Sequence, residues 1–464
     1  MSLLLAAALH TWIAAHQQQV LDEYTRFLAI PNLASDQPNI ERNVSFIVDM
    51  FTRRGVSARV LRVEKSPPVI VVNLASPGAT STIAFYAHYD GQPVDASQWT
   101  SPPWQPVIKD DHIYARSASD DKAPIMAMAA ALDGLRAANV APRVNLRFIF
   151  EGEEEAGSPH LGTYFERFPA EMAADAYMIC DGPVHQSRRM QLYFGARGMT
   201  DVEMTVYGPA RVLHSGHYGN WAPNPIVTLT HLIDSMRDTE GRILIKGFYD
   251  DVKPLTAAER AAIAAIPDIE PDLKRELALG RTEGNGKSLN ELILAPALNL
   301  RGISGGHVGE QAANAVPAEA RASIDFRLVP AQTPEGVRKR VEQHIADRGF
   351  FIVHDAADAA TRMAHPNVVR LNWGSGYPAA RTSMDLPFSQ RVADVINKAT
   401  GTPPVRMPSL GGSVPMYLFQ RGDAPVIGLP IANHDNNQHA ANENLRLQNL
   451  WDGIEVFGAL FSNL

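Results

Sequence analysis

The sequence is poor in three features that mark particular classes of protein. It holds one cysteine, Cys180, in 464 residues, which excludes an intrachain disulfide framework and indicates a reducing compartment. Acidic residues outnumber basic ones by 50 to 42, and a net charge of -8 argues against a nucleic-acid partner, which requires a basic face. No run approaches the roughly 20 apolar residues of a membrane span. We therefore predict a cytoplasmic protein with neither a nucleic-acid nor a membrane partner.

The N-terminal segment contains many apolar residues but lacks the basic start of a signal peptide. Its apolar run breaks at His10 and continues with the spacing of an amphipathic helix, so the segment is predicted to be a first helix.

The order of the predicted elements indicates one domain inserted into another. Residues 1–198 begin with two helices and then alternate strands and helices, which predicts an α/β catalytic domain with a mixed, mostly parallel sheet covered by helices. Residues 199–382 follow the β-α-β-β-α-β order of a ferredoxin-like α+β unit, with FFIVHDA at 350–356 as its last strand. Residues 246–294 are polar and are predicted to be an insertion in this unit. Residues 383–464 return to the first pattern.

Side chains that bind divalent metals follow three of the predicted strands: His88 and Asp90 after STIAFYA, Glu153 and Glu154 after VNLRFIF, and Asp181 after AYMIC. In open parallel sheets, ligands bind at the edge formed by the carboxyl ends of the strands. Two other segments supply Asp120, at the start of a predicted helix, and His439, in NQHAANEN. Two histidines and three carboxylates make up the ligand set of a two-metal hydrolytic site.

Each motif also has an ordinary structural interpretation. The acidic run that contains Glu153 and Glu154 is costly unless cations lie nearby, but it could be an exposed turn. His88 and Asp90 point the same way in extended backbone, yet a structural histidine beside an aspartate is common. Asp120 lies at the start of a predicted helix, where the helix dipole stabilises any acidic side chain. Cys180 is predicted to pack in the core rather than to bind metal.

Taken together, the motifs resemble those of a known family of dinuclear zinc exopeptidases, which includes carnosinase, glutamate carboxypeptidase and succinyl-diaminopimelate desuccinylase. The resemblance covers nearly the whole chain and rests, in order, on HYDGQPVD, DDK, EGEEEAGS, CDGP, LHSG, DFRLVP, GGS and HxxNE. It implies two Zn²⁺ per chain, with Mn²⁺ or Co²⁺ as alternatives. His88, Asp120 and Asp181 would bind one zinc, with Asp120 bridging, and Glu154 and His439 would complete the second site.

The same resemblance implies roles for residues around the metals. Glu153 would be the general base, Asp90 would orient His88, and the Asp120–Asp121 peptide would be cis. His434 precedes His439 by five residues and is the alternative ligand, but HAANEN matches the family's His-x-x-Asn-Glu.

The family's lid domain corresponds to residues 199–382, and the resemblance implies a homodimer through it. His214 would reach into the partner's active site and stabilise the oxyanion. Arg327 would hold the substrate's terminal carboxylate through a bidentate pair, and Gly412 and Ser413 would donate hydrogen bonds to it.

The sequence departs from the family in the loop before the bridging aspartate. Ala115, Ser117 and Ala123 stand where the family usually has glycine, which tightens the loop without removing a ligand.

The predicted function is hydrolysis of the amide bond of dipeptides or short peptides with a free C-terminal carboxylate. An N-acyl-amino-acid amidohydrolase or desuccinylase is the alternative within the enzymes. A catalytically inert metal-binding protein is the alternative of another class.

Overall fold

The computed structural model describes residues 3–412 and 414–464. The predicted substrate donor Ser413 lies outside the described residues.

The larger sheet has eight strands, which run in spatial order Ser57–Leu61, Val69–Leu74, Asn145–Glu151, Thr82–His88, Ala176–Ile179, Val426–Gly428, Gln191–Tyr193 and Val405–Met407. The four strands from Asn145–Glu151 to Val426–Gly428 pair in parallel, and antiparallel pairs flank them. The predicted mixed, mostly parallel sheet is confirmed. Its strands come from 57–193 and from 405–428, so the chain leaves this sheet and returns to it.

Helices cover both faces of this sheet, and their bounds are Leu3–Leu28, Gln37–Thr52, Lys122–Ala137, Leu161–Arg167, Pro169–Met172, Pro387–Thr400, Met416–Phe419 and Leu447–Asn463. Successive strand residues point to opposite faces, so Phe85 joins one core and Tyr86 the other. The helix Lys122–Ala137 is apolar and buried almost all round, as expected of a helix in the centre of a core. Its first residues follow Asp120 and Asp121.

A second sheet of five strands forms the lid, in the spatial order Ala297–Ser304, Glu319–Leu328, Gly198–Tyr207, Val368–Trp373 and Phe351–Val353. The helices Pro225–Asp234 and Pro334–Asp347 contribute to its core. Proline in the first turn favours both helix starts, since it presets the helical backbone and lacks only an N–H that would be unpaired there.

One detail of the predicted ferredoxin-like order is wrong. Phe351–Val353, the predicted last strand, does not lie beside Gly198–Tyr207. Val368–Trp373 occupies that place as an antiparallel partner, and Phe351–Val353 pairs in parallel with it at the edge. The reason is that Val368–Trp373 offers buried apolar residues to the lid core, whereas Phe351–Val353 is partly exposed.

The predicted insertion lies between Pro225–Asp234 and Ala297–Ser304 and contains the helices Ala257–Ala264, Glu270–Glu276 and Leu289–Leu292. Glu259, on the first of these, forms an ion pair with Arg381. The domain limits at 198/199 and 382/383 stay a prediction.

The shorter elements complete the fold. Three small sheets consist of Val107–Lys109 with His112–Tyr114 and Asn444–Arg446, Gly195–Ala196 with Ala380–Arg381, and Leu213–His214 with Ala315–Val316. Two further helices and three 3₁₀ turns are Ser215–Tyr218, Ala359–Ala364, Ala96–Gln98, Glu154–Ala156 and Gly309–Gln311. Within residues 3–412 and 414–464, no helix combines the length and the apolar character needed to cross a membrane.

Candidate metal centre

Three adjacent parallel strands deliver acidic and imidazole side chains to one edge of the larger sheet. His88 is the last residue of Thr82–His88, the acidic run follows Asn145–Glu151, and Asp181 comes two residues after Ala176–Ile179. These strands are neighbours with Thr82–His88 in the middle. The juxtaposition expected from the sequence is therefore present at the carboxyl ends of the strands.

The side chains at this edge form two groups. Within each group, the atoms that could bind a metal ion lie within 4.8 Å of one another. The first group is His88, Glu154 and Asp181, and the second is Asp120, Glu155 and His439. All except His439, whose side chain is half exposed, are buried or partly buried.

Asp120 joins the two groups. Its Oδ1 lies 3.0 Å from His88 Nε2, and its Oδ2 lies 3.0 Å from His439 Nε2. Gln438 Nε2 donates to the same Oδ2 at 2.8 Å. One carboxylate oxygen for each histidine is the arrangement that a bridging ligand requires. The Asp120–Asp121 peptide bond is cis, as the resemblance implied.

A small sheet brings His439 to this position from the far end of the chain. The strand Asn444–Arg446 pairs with His112–Tyr114. The segment that precedes Asn444–Arg446 therefore lies next to the loop that follows His112–Tyr114. His439 precedes the first strand and Asp120 follows the second, separated by 319 positions in sequence. Neither group includes His434, whose Nδ1 lies 3.9 Å from Asp435 Oδ1.

The structure places the side chains of the acidic run one residue out of step with the predicted roles. Glu155 Oε2, not a Glu154 oxygen, lies beside His439 Nε2, at 3.1 Å. Glu154 belongs to the group of His88 and Asp181, with its Oε2 4.0 Å from His88 Nε2. Glu153 is in neither group, and its carboxylate accepts from His160 N and contacts His160 Nδ1 at 2.9 Å. The physical reason is that the chain leaves the strand through a 3₁₀ turn at Glu154–Ala156, which redirects successive side chains.

Asp90 fixes this turn as well as the histidine. Its Oδ1 lies 3.3 Å from His88 Nδ1, and its two oxygens accept from Glu154 N at 3.1 Å and Glu155 N at 3.0 Å. A carboxylate in contact with the second ring nitrogen sets the tautomer and orientation of a ligand histidine. At Gly91, the next residue, a Cβ would lie 2.4 Å from Ser117 Oγ, so a larger residue would displace the Ser117 side chain.

The electrostatics of the cluster favour cations. Burial, reinforced by Asp120, raises the pKa of Asp181 to about 7, and burial raises the pKa of Glu154 well above its usual range. Hydrogen bonds to Asp120 and Glu155 raise the pKa of His439 to about 10. Burial by itself would raise the pKa of Asp120, but hydrogen bonds from His439 and His88 lower this pKa below its usual range. Crowded, buried carboxylates of this kind are stable as anions only beside positive charge.

The donor set fits two divalent cations. Imidazole nitrogens and carboxylate oxygens, without thiolates, suit Zn²⁺, Mn²⁺ or Co²⁺. Cys180 is buried and in neither group, in line with its predicted packing role. His88, Asp181, Glu154, Asp120, Glu155 and His439 are the residues that could hold the ions.

The residues predicted to contact the substrate, two in the lid and one in the glycine loop, lie outside the two groups. His214 is exposed, its Nδ1 accepts from Gly216 N, and its ring lies against His217. Arg327 is partly exposed, and its Nε donates to Asp325 Oδ2 at 3.2 Å. Gly412 is exposed. None of these three belongs to either group of metal-type residues in the described part of the chain.

Comparisons with known proteins show the family to which this chain belongs. The sequence model of peptidase family M20/M25/M40 matches residues 84–463. The chain belongs to this family.

Relatives in sequence and structure cover almost the whole chain. Human Beta-Ala-His dipeptidase is 28% identical to this chain, over 97% of this chain and 91% of its own length. The Cys-Gly metallodipeptidase dug1 of Schizosaccharomyces pombe is 25% identical, over 97% of this chain and 96% of its own length. The M20 family metallo-carboxypeptidase Sso-CP2 from Sulfolobus solfataricus superposes with a TM-score of 0.80 at 28% identity, covering 96% of this chain and 98% of that one. This family member is thus a metallopeptidase of the dipeptidase or carboxypeptidase type.

Proposed function

We propose that the protein hydrolyses the amide bond of dipeptides or short peptides with a free C-terminal carboxylate, using two divalent cations, zinc first among them. The observation that carries the proposal is Asp120, which contacts one histidine of each group with a different oxygen. The relatives named as dipeptidases favour a dipeptide substrate over an N-acyl amino acid. When bound, the cations would polarise the scissile carbonyl and acidify a water molecule.

The residues of the chain divide the remaining work. His88 and Asp181 would hold one cation, Glu155 and His439 the other, and Asp120 both. Glu154 would take the proton from the attacking water and deliver it to the leaving amine. Its place favours this role, because it lies in the first group while its neighbour Glu155 lies in the second. We therefore propose Glu154, rather than the predicted Glu153, as the general base.

Substrate recognition is proposed for the lid and the glycine loop. Arg327 would bind the terminal carboxylate, with Gly412 and Ser413 as further donors. His214 would meet the developing oxyanion from the partner subunit's lid. Since His214 is exposed and in contact with His217 rather than with the metal-type groups, a second subunit is the natural source of this histidine.

The lid offers a surface for the proposed homodimer. Ala297–Ser304 is an edge strand with mostly exposed residues, and an unpaired edge is a template for another chain. On this strand Ile303 is 53% exposed, beyond its end Val308 is 89% exposed, and Val227 on the helix Pro225–Asp234 is 52% exposed. A two-fold axis at this edge would bury these apolar side chains against their copies. A cytoplasmic location stays a prediction, supported by the single buried cysteine.

The decisive experiment compares Glu154→Gln with Glu153→Gln. We expect Glu154→Gln to lower kcat by ~10²–10⁴-fold while the protein still binds two cations, because the amide keeps the size but not the basicity. Glu153→Gln is the matched control and should keep most activity, losing only its contact with His160.

Activity would be measured on a panel of dipeptides and N-acyl amino acids, and bound metal by elemental analysis. Loss of kcat in Glu153→Gln alone would return the base to Glu153. A wild-type protein that binds metal but cleaves no member of the panel would favour the inert metal-binding protein instead.

A further inference from the structure

One buried carboxylate outside the two groups holds the loop that presents Asp120. Glu443 is fully buried, and it is the last residue of the His-x-x-Asn-Glu motif that begins at His439. The resemblance assigned the histidine but gave the glutamate no role. Its side chain accepts five hydrogen bonds, from Arg116 Nη1, Ser117 N, Ser119 N, Ser119 Oγ and Asp120 N.

The donors to Glu443 all come from one loop, Arg116 to Asp120. Three are backbone amides, and one of these is the amide of Asp120 itself, at 3.0 Å from Glu443 Oε1. Arg116 supplies the compensating charge at 2.7 Å, with both side chains buried. A buried carboxylate with an arginine and three amides on it is fully satisfied, so it fixes the loop rather than tolerating several conformations.

The loop needs such an anchor. Ser117 has φ +61°, a left-handed conformation that glycine adopts freely and that other residues adopt only at a cost. Here the amide of this strained residue donates to Glu443 Oε2 at 3.0 Å. The serine that departs from the family's glycine is thus held in the required shape by a bond to Glu443.

Glu443 also fixes the distance between two proposed ligands. It is four residues beyond His439 on one segment and hydrogen-bonded to Asp120 on the other. Its own carbonyl accepts from Ala115 N at 3.1 Å. The carboxylate therefore couples the loop of Asp120 to the segment of His439, the two sides of the second group.

We propose that Glu443 is a positioning residue for the second cation: it sets the geometry in which Asp120 and His439 bind the same ion. This inference rests on the proposed cation-binding role of these two residues. Glu443 itself belongs to neither group of metal-type residues.

The test measures cation binding rather than turnover. Full-length, metal-depleted wild-type and Glu443→Gln proteins would be titrated with Zn²⁺ in a calorimeter, and their Co²⁺ forms compared by visible absorption. The amide places an NH₂ group against amide donors, so we expect the weaker of the two Zn²⁺ affinities to fall by ~10–100-fold, the range for residues that orient metal ligands. We also expect a changed Co²⁺ spectrum, whichever of the two affinities belongs to the second group.

Glu23→Gln is the matched control. Glu23 is also buried and held by arginines, Arg53 and Arg54, but it lies on the first helix. It should lower the melting temperature while both Zn²⁺ affinities and the Co²⁺ spectrum stay as in the wild type.

Ser119→Ala provides a milder variant in case Glu443→Gln does not fold. It removes one donor to Glu443 Oε1. The affinity for the second cation should therefore fall by less than ~10-fold, which corresponds to the loss of one hydrogen bond. Wild-type affinities and spectra in Glu443→Gln, or in Ser119→Ala when the first variant is unfolded, would overturn the inference. The inference is judged from cation affinity and the proposed function from hydrolysis, so each can fail without the other.

Discussion

The edge of the larger sheet and the lid differ in how completely a single chain builds them. At the sheet edge, five segments bring together side chains that are buried or partly buried except for His439, and the possible ligand atoms lie within 4.8 Å of one another in each group. In the lid, His214 is exposed and Arg327 contacts Asp325 of its own strand. Gly412, in the loop after the strand Val405–Met407, is exposed as well. Folding of one chain therefore brings the proposed cation ligands together, whereas the proposed substrate contacts would require a partner subunit or a closing movement.

The largest effect is expected from Asp120→Asn. Asp120 contacts both histidines, so the loss of its charge should lower the affinity for both cations. The value of kcat/KM should fall well beyond the ~100-fold typical of residues that only support a ligand. Metal content and dipeptide hydrolysis measure the effect. Asp325→Asn in the lid is the control, and it should leave two cations bound. A variant Asp120→Asn that keeps both cations would contradict a bridging role.

A complementation experiment tests whether the lid acts across the dimer. His214→Ala should lower kcat by ~10²–10³-fold, the cost of one oxyanion donor. Mixed in equal amounts with Glu154→Gln, it should recover roughly a quarter of wild-type activity, because random pairing makes half of the dimers mixed with one intact site each. Mixtures without recovery, despite dimers in light scattering, would place His214 in its own subunit's site.

Chelation should affect the two regions unequally. Removing tightly bound cations costs on the order of 3–8 kcal/mol for two sites, so the melting temperature should fall by roughly 5–15 °C. Hydrogen exchange should accelerate in 115–121, 151–157 and 438–443, where the ligands lie. The lid strands Gly198–Tyr207 and Glu319–Leu328 serve as the internal control. Equal acceleration in the lid strands would contradict a cation site confined to the sheet edge.

The smallest effect concerns pH. Burial raises the pKa of Glu151 from 4.5 to about 8, so the folded chain keeps a proton there that the unfolded chain releases. The stability from this group is present below about pH 4.5 and is lost as pH rises towards 8. Glu151→Gln should therefore flatten the fall of the unfolding free energy between pH 5 and 8, by about 1 kcal/mol per pH unit at most.

The pH dependence would be measured by denaturant titration of the metal-depleted protein. The exposed lid variant Glu203→Gln should keep the wild-type slope. An unchanged slope in Glu151→Gln would mean that this carboxyl group is ionised in the folded chain.

Sequence patterns alone predict the two-sheet architecture and the edge at which the proposed cation site lies. Apolar runs such as those before His88 and Asp181 predict buried parallel strands, and the carboxyl ends of parallel strands share an edge. The family motifs, spread over nearly the whole chain, identified Asp120 and His439, which no local pattern singles out.

Which glutamate of the acidic run faces which histidine depends on the three-dimensional fold. Three consecutive glutamates follow Gly152, and a turn, unlike a strand or helix, has no fixed side-chain period from which Glu153, Glu154 and Glu155 could be sorted. The turn is shaped by Asp90, 64 residues before Glu154, and the loop of Asp120 by Glu443, 323 residues beyond it. Such contacts are set by the packing of distant segments, and therefore the sequence pattern alone could not supply them.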